Sequence, residues 1–181
     1  LKSGDDLWVS RYILNQMSED YGFNIEYHPK PVTGDWNGSG LHCNFSNIKM
    51  REEGGKEYFD AIFKTFESRH MEHIKCYGSS NDMRLTGDHE TQSIHKFSWG
   101  VSDRGASIRV PISTEKEWKG YVEDRRPASN ADPYKIINVI NESIINAEEL
   151  YKTLHNMYSD VKVSDEIKEL VQTEPITREV D

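Results

Sequence analysis

The chain has 181 residues, a hydrophobic fraction of 35% and a formal net charge of −9 at pH 7. This length accommodates one domain, or most of one, with a sizeable core. The negative charge argues against nucleic acid or an anionic membrane as the main partner, and no apolar run reaches transmembrane length. Because the sequence starts at Leu1 without a secretory signal, we expect a piece of a longer cytoplasmic protein. Cys43 and Cys76 lack the spacing of a zinc site and are predicted to be reduced thiols.

The N-terminal residues predict a helix followed by a strand. Asp5 or Asp6 can cap a helix that runs to about Tyr21, with Gly22 as the residue that ends it. The apolar residues of this helix are expected to form a buried stripe: Leu7, Leu14, Met17 and Tyr21. Alternating apolar residues then predict a strand over residues 23–27, which ends at two prolines.

A second strand, predicted at residues 41–46, has one apolar and one polar face. Its apolar residues alternate with side chains that carry an imidazole, an amide and a hydroxyl: His42, Asn44 and Ser46. A half-exposed strand without a function shows the same alternation, so this pattern alone does not define a site.

The clearest helix of the first half is predicted over residues 55–69. Its apolar residues recur at i, i+3 and i+4 and are expected to face the core: Tyr58, Phe59, Ile62, Phe63 and Phe66. His70 and His73 follow at helical spacing, and such a pair can bind a metal ion. Since no third ligand is apparent nearby, we interpret both as surface histidines. The polar residues 76–95 are predicted to form a functional loop.

Arginines concentrate near the middle of the chain, in a region where strands are predicted at residues 97–101 and 106–112. Five of the nine arginines lie between positions 84 and 126: Arg84, Arg104, Arg109, Arg125 and Arg126. The planar guanidinium fork binds carboxylate and phosphate through two hydrogen bonds. In an acidic protein this cluster favours an anionic ligand, and the alternative is a set of unrelated surface ion pairs.

The segment GYVEDRRPASNADPY, residues 120–134, is the most informative of the chain. As a strand it places Tyr121, Glu123 and Arg125 on one face and Val122 and Asp124 on the other. The first face offers an aromatic ring, a carboxylate and a guanidinium, which can hold a base, a metal ion and an anionic substrate. The alternative interpretation is an ion-pair ladder on an edge strand.

The C-terminal third is predicted to be helical and charged. Asp132 is an N-cap and Pro133 opens a helix that runs to about Asn156. Its buried stripe is expected to contain Ile137, Ile140, Ile144 and Leu154. Residues 157–181 are expected to be a charged extension with a short helix over residues 164–171. Strands with polar faces and a few long helices predict an α+β domain, with a curved antiparallel sheet whose concave face is the site.

Five motifs together resemble the catalytic domain of eukaryotic-type (type II) glutamine synthetase. They are PKPVTGDWNGSGLHCNFS (29–46), MREEGGKEYF (50–59), RLTGDHET (84–91), GVSDRGASIRVP (100–111) and GYVEDRRPASNADPY (120–134). The resemblance covers roughly residues 4–145. It implies the glutamine synthetase/guanido kinase-like fold, with a partial catalytic domain over residues 1–156.

The resemblance also implies an activity. The family joins ammonia to L-glutamate with ATP, through γ-glutamyl phosphate, and uses two Mg²⁺ or Mn²⁺ ions. Its members are cytoplasmic homo-oligomers, so the resemblance implies decamer-like rings. No nucleic-acid or membrane partner is expected.

Individual roles follow from the motif match, and each is an expectation of the resemblance. His42 and Glu123 would bind metal. Glu90 would be the carboxylate of a closing flap, and Arg104 and Arg125 would act in catalysis. The glutamate pocket would consist of Asp35, Trp36, Asn37, Gly38, Arg84, Arg104 and Arg125. Nucleotide contacts would come from Asn44, Phe45, Ser46, Arg51, Arg104, Arg109, Tyr121, Val122 and Glu123.

The match also departs from the family pattern. The family's other metal-binding glutamates and its small N-terminal domain precede the stretch found here, so the isolated segment is expected to be inactive. Met83 stands where a second arginine is usual, Asp103 where asparagine is usual and His28 where aspartate is usual. Two alternatives remain open, namely a ligase for amines or polyamines and a non-catalytic structural homologue.

Overall fold

The computed structural model describes the backbone of residues 1–172 and the side chains of residues 1–157. The four strands of the described chain are β1 (Cys43–Phe45), β2 (Trp99–Val101), β3 (Ile108–Val110) and β4 (Val122–Asp124). The described helices are α1 (Lys2–Asp20), α2 (Ile48–Glu52), α3 (Lys56–Ser68), α4 (His70–Cys76), a 3₁₀ turn (Asn81–Met83), α5 (Ile112–Glu117) and α6 (Pro133–Gln172).

The four strands form one sheet in the order β1–β4–β3–β2. β4 lies antiparallel to both β1 and β3, with Glu123 opposite Asn44 on one side and Arg109 on the other. β2 and β3 are parallel. The predicted α+β class is confirmed, and the sheet is mixed because of this last pair.

The core lies between the sheet and helices α3 and α6. The predicted apolar stripe of α3, from Tyr58 to Phe66, is fully buried there, as are Ile108, Val110 and Val122 from the sheet. β1 contributes Leu41, Cys43 and Phe45, which pack against the same cluster as predicted. One face of β1, β3 and β4 thus belongs to the core, and the opposite face is left for other contacts.

Helix α6 begins as predicted and is longer than predicted. The side chain of Asp132 accepts a hydrogen bond from the backbone N–H of Tyr134 at 2.9 Å, and Pro133 is the first helical residue. The helix then continues to Gln172, so it includes the residues 164–171 for which a separate short helix was predicted. The division of the chain after Asn156 stays a prediction, and its last nine residues lie outside the described part.

For helix α1, the predicted C-terminus is confirmed, whereas the predicted start and the predicted buried stripe are wrong. Its C-terminus has the predicted glycine: Gly22 has φ +70°, and the N–H groups of Gly22 and Phe23 donate to the carbonyls of Glu19 and Ser18. Its start is Lys2, however, without a side-chain cap. The predicted buried stripe is wrong, since Leu14, Met17 and Tyr21 are exposed.

Polar contacts help to hold α1 on the domain. Arg11 is buried and donates to the carbonyls of Ser129 and Ala131 at 2.7 and 3.0 Å. Asp5 accepts a hydrogen bond from the hydroxyl of Tyr134 at 2.5 Å. The strand predicted over residues 23–27 is also wrong, because this segment pairs with no described strand and leaves Phe23 and Ile25 exposed.

His70 and His73 are buried, so their interpretation as surface residues is wrong. They belong to a buried polar network formed by Asp124, Arg126, His70, His73 and Tyr77. Arg126 forms an ion pair with Asp124 at 2.8 Å, and its other Nη atom lies 2.9 Å from Nδ1 of His70. The hydroxyl of Tyr77 donates to Asp124 at 2.6 Å and lies 2.5 Å from Nδ1 of His73. Buried charges need hydrogen-bonding partners, and the histidines supply them.

The stability of the fold should depend on pH through His73. Burial, and then the charge of Arg126, lowers the pKa of His73 to about 3. The unfolded chain, with an ordinary value of about 6.5, therefore binds a proton that the folded chain does not bind between these two pH values. We expect stability to be complete above pH ~6.5 and to fall by roughly 1.4 kcal/mol per pH unit below it. Urea unfolding at a series of pH values should show this slope, reduced in His73→Gln and retained in the exposed control His95→Gln. Equal slopes in all three proteins would contradict this role of His73.

Cys43 and Cys76 are free thiols, as predicted. Burial raises the pKa of the Cys43 thiol to about 12, which makes it a packing residue of β1. Among the described helices, none is long and apolar enough to cross a membrane.

Candidate active site

The carboxylate of Glu123 is the centre of the polar face of the sheet. Its Oε1 lies 3.0 Å from Nδ1 of His42 and 3.4 Å from Nη1 of Arg125, and its Oε2 lies 2.5 Å from Nε of Arg109. Strand register explains the arrangement, because Asn44 and Arg109 are its cross-strand neighbours. Three of the predicted site residues, His42, Arg109 and Arg125, therefore meet around one buried carboxylate.

The contacts of the His42 ring determine which of its two nitrogens carries the proton. Nε2 of its ring lies 3.2 Å from Nη2 of Arg84, and a guanidinium can only donate, so Nε2 must accept. The proton of the neutral ring is then on Nδ1, where it points at Glu123. Burial, followed by the charges of Arg125 and Arg84, lowers the pKa of His42, while Glu123 acts in the opposite direction. A neutral imidazole can coordinate a metal ion through one ring nitrogen, which here would first have to give up its contact with Arg84 or Glu123.

His42 and Glu123 fit part of a metal site. Oε2 of Glu123 is buried and has no hydrogen bond, because Arg109 approaches it closely without directing an N–H at it. The Arg109 guanidinium is therefore the cation beside this oxygen, and a metal ion bound there would have to displace it. Mg²⁺ needs about six oxygen-type ligands, however. Within the described part of the chain, no group of three or more His, Cys, Asp or Glu could hold an ion. These two residues are therefore at most one part of a coordination shell.

The loop at residues 86–92 contacts the guanidinium of Arg125. Arg125 donates from Nε to the carbonyl of Arg104 at 3.0 Å and from Nη2 to the carbonyl of Glu90 at 3.4 Å. The carboxylate of Glu90 is 3.2 Å from Nη1 of Arg104, and both of these side chains are largely exposed. His89 and Glu90 have φ values of 52° and 59°, a region costly for residues other than glycine. Strained backbone of this kind concentrates at functional sites.

A polar cavity of about 260 Å³ lies between this loop and the glycine-rich segment. The predicted substrate residues Asp35, Trp36, Gly38 and Arg84 line it, together with Met83, Lys30, Gly34, Thr86, Asp88 and His89. Nε2 of His89 lies 3.0 Å from a carboxylate oxygen of Asp35, and this contact joins the two walls. Asn37 lies in the same segment but does not line the cavity.

The residues predicted to contact a nucleotide differ in whether their side chains are accessible or packed in the core. Ser46 accepts two hydrogen bonds from Arg51, at 2.8 and 3.0 Å, and Tyr121 is partly exposed. Phe45 stacks on Phe66 in the core, and Val122 is fully buried. Phe45 and Val122 can therefore reach a nucleotide only through their backbone.

Sequence reasoning missed two contacts of the site. Asn81 is buried, and its amide donates to the carbonyl of Arg126 at 2.8 Å while its oxygen lies 3.4 Å from Nη1 of Arg84. His89 joins Asp35 across the cavity. The position of His89 beside Glu90 in GDHET was a usable signal, whereas nothing in the local pattern marks Asn81.

The fold and the site together define an α+β domain that gathers arginines around a buried glutamate on an open sheet. Among solved structures, a Plasmodium falciparum glutamine synthetase determined by cryo-EM has this fold. The TM-score is 0.63 at 20% sequence identity, and the match covers 84% of this chain and 30% of that chain.

Curated sequences show which proteins the chain is similar to. No family model matches the chain. The glutamine synthetase of Tuber borchii is 54% identical over 144 residues, and a cytosolic glutamine synthetase isozyme of Daucus carota is 54% identical over 145. These matches cover 80% of this chain and about 40% of the relatives' length. The chain is a homologue of the eukaryotic glutamine synthetases, and it corresponds to about two-fifths of their length.

Proposed function

We propose that the chain forms part of the catalytic site of a glutamine synthetase, a ligase that makes L-glutamine from L-glutamate, ammonia and ATP. The observation that carries the proposal is the cluster of His42, Arg109 and Arg125 around Glu123. The names of the relatives support the same activity. Because the chain spans only part of their length, the remaining metal ligands and the oligomeric contacts would come from polypeptide outside this segment.

The main physical problem of the proposed reaction is that two anions must meet. The γ-carboxylate of glutamate attacks the terminal phosphorus of ATP, ADP leaves, and ammonia then displaces phosphate from the acyl carbon. Arg104, Arg109 and Arg125 would stabilise the charge on the transferring phosphoryl group and hold the two substrates in position. A Mg²⁺ or Mn²⁺ ion bound by His42 and Glu123 would supply further positive charge to the nucleotide phosphates.

Water would destroy the acyl phosphate, so the site must close. Glu90 lies on the strained loop that already touches Arg125, and its carboxylate would help to remove a proton from the ammonium-derived nitrogen. Its ion pair with Arg104 would connect closure of the loop to the arginine cluster. The cavity lined by Asp35, Trp36 and Gly38 would hold glutamate. Homo-oligomeric assembly and a cytoplasmic location belong to the same proposal.

The proposal predicts activity once the rest of the enzyme is supplied. In a chimeric enzyme, this chain would replace the matching part of the Tuber borchii relative. We expect phosphate release that depends on both glutamate and ammonium, whereas the isolated chain should release none. A chimera that folds and assembles but is inactive would contradict the proposal. Activity with a polyamine in place of ammonium would favour the amine-ligase alternative.

A further inference from the structure

The side-chain amide of Asn47 connects three helices just after β1. Asn47 is the N-cap of α2, and its Oδ1 accepts a hydrogen bond from the backbone N–H of Met50 at 2.7 Å. Its Nδ2 donates to the hydroxyl of Tyr58 on α3 at 2.6 Å and to Oε1 of Glu148 on α6 at 2.9 Å. Both hydrogens of the amide are therefore engaged, and its orientation is fixed because only its oxygen can accept from Met50.

Tyr58 and Glu148 close this contact into a triangle. Burial raises the pKa of Tyr58 to about 12, so its hydroxyl keeps its proton and donates to Oε1 of Glu148 at 3.2 Å. One carboxylate oxygen thus accepts from both Asn47 and Tyr58, and hydrogen bonds to a charged acceptor are stronger than those between neutral groups. Through this oxygen, the first turn of α2 is anchored to two helices of the core.

Helix α2 needs such an anchor because it is very short. It has five residues, whereas isolated helices of fewer than about 12 residues are marginal in water. Ile48, its first residue, is exposed, and Met50 is its one buried residue. Lys49 adds a contact with α3, since its Nζ atom lies 5.1 Å from the centre of the Tyr58 ring. The orientation of α2 therefore depends on the few side chains that attach it to α3 and α6.

Residues predicted to contact the nucleotide lie on both sides of this anchored helix. Arg51 belongs to α2 and donates back to the hydroxyl and the carbonyl of Ser46. The carbonyl of Met50 accepts a hydrogen bond from the backbone N–H of Gly120 at 2.8 Å, directly before Tyr121. A displacement of α2 would consequently move the backbone that presents all three of the predicted contacts Ser46, Arg51 and Tyr121.

We propose that Asn47 and Glu148 are positioning residues for the nucleotide, which hold α2 in the orientation that lets Arg51 and Tyr121 contact ATP. Neither side chain touches a substrate in this role. Glu148 lies beyond residues 4–145, which carry the resemblance, so none of the five motifs includes it. The inference deepens the proposed function and depends on it for the kinetic consequence. The anchoring itself is a property of the unliganded chain.

Steady-state kinetics of the chimeric enzyme test the proposal through a comparison of the KM for ATP with the KM for glutamate. We expect Glu148→Ala to raise the KM for ATP by about 2- to 10-fold, the size of one net hydrogen bond. The KM for glutamate and kcat should change little. Glu149→Ala, at the neighbouring exposed carboxylate of α6, is the matched control and should leave all three constants unchanged.

A reversed pair separates positioning from the mere loss of a side chain. Asn47→Asp keeps an acceptor for the N–H of Met50 but places a second carboxylate beside Glu148. It should raise the KM for ATP at least as much as Glu148→Ala does. Combining it with Glu148→Gln supplies an amide that can donate to the new carboxylate. The double variant should therefore return the KM for ATP towards that of the unsubstituted chimera.

Two kinetic results would overturn the positioning role. One is a KM for ATP in both Glu148→Ala and Asn47→Asp that is no higher than in the Glu149→Ala control. The other is an equally large change in kcat or in the KM for glutamate, which a general loss of structure would cause.

Amide hydrogen exchange in the unliganded 181-residue chain distinguishes these results from a failure of the proposed function. The N–H of Met50 should exchange faster in Glu148→Ala than in Glu149→Ala, whether or not the chimera makes glutamine. Equal exchange rates in the two variants would contradict the anchoring itself.

Discussion

Replacing Glu90 by alanine in the chimeric enzyme should lower the rate of glutamine formation by about 10²- to 10⁴-fold, the range for loss of a general base. The carboxylate is placed on the loop that contacts Arg125 and Arg104, so its loss should leave the acyl phosphate less protected and the ammonium nitrogen without its base. ATP binding should change little, because Glu90 itself is not among the predicted nucleotide contacts.

The measurement is steady-state glutamine formation together with ATP affinity. Glu149→Ala, an exposed carboxylate on α6, is the control and should leave both unchanged. Turnover of Glu90→Ala equal to that of the unsubstituted chimera would show that Glu90 has no such role.

Arg126→Met should destabilise the 181-residue chain by about 3–5 kcal/mol, the usual cost of leaving one partner of a buried ion pair alone. Asp124 is completely buried, and Arg126 is its only cationic partner among the described residues, because the lowered pKa of the nearby His73 keeps that ring neutral. The variant also removes a donor to His70. Urea unfolding measures the loss.

A matched control is Lys2→Met, which breaks the exposed ion pair of Lys2 with Asp6. Exposed pairs contribute at most about 1 kcal/mol, so this variant should be nearly neutral. A loss for Arg126→Met as small as that of the control would mean that the buried polar network does not depend on its ion pair.

Strand β4 and the residues after it connect stability and chemistry. Glu123 and Arg125 point to the candidate site, while Asp124 and Arg126 point to the buried polar network. Because successive side chains of a strand point to opposite faces, the sequence EDRR contributes two residues to the candidate site and two to the buried polar network. Changes in the network should reach the site through this short stretch of backbone, which Arg84 and Asn81 also hold.

The sequence patterns correctly predicted features that depend on neighbouring residues, such as strand alternation, helical periodicity and helix caps. The face of Glu123 follows from strand alternation, the core stripe of α3 from helical periodicity, and the start of α6 from the Asp132 cap. The resemblance, and not the pattern, placed roles on Glu90 and Arg104. Those roles stay proposals.

The incorrect predictions concern segments whose burial or pairing depends on distant parts of the fold. The apolar residues of α1 have helical spacing, but the contacts of this helix are made by Arg11 and Asp5. Residues 23–27 alternate in the manner of a strand, but no described strand pairs with them. His70 and His73 became buried because Asp124 and Arg126, more than 50 positions later, need partners there. Such pairings across the fold cannot be read from local spacing.

The most direct test of the central claim follows oxygen atoms in the chimeric enzyme. Our account is that the arginine-lined face brings the glutamate carboxylate to the terminal phosphorus of ATP. Glutamate labelled with ¹⁸O in its γ-carboxylate should then transfer one ¹⁸O atom to each phosphate released, as seen by mass spectrometry. Released phosphate without ¹⁸O, at a normal rate of glutamine formation, would contradict the account.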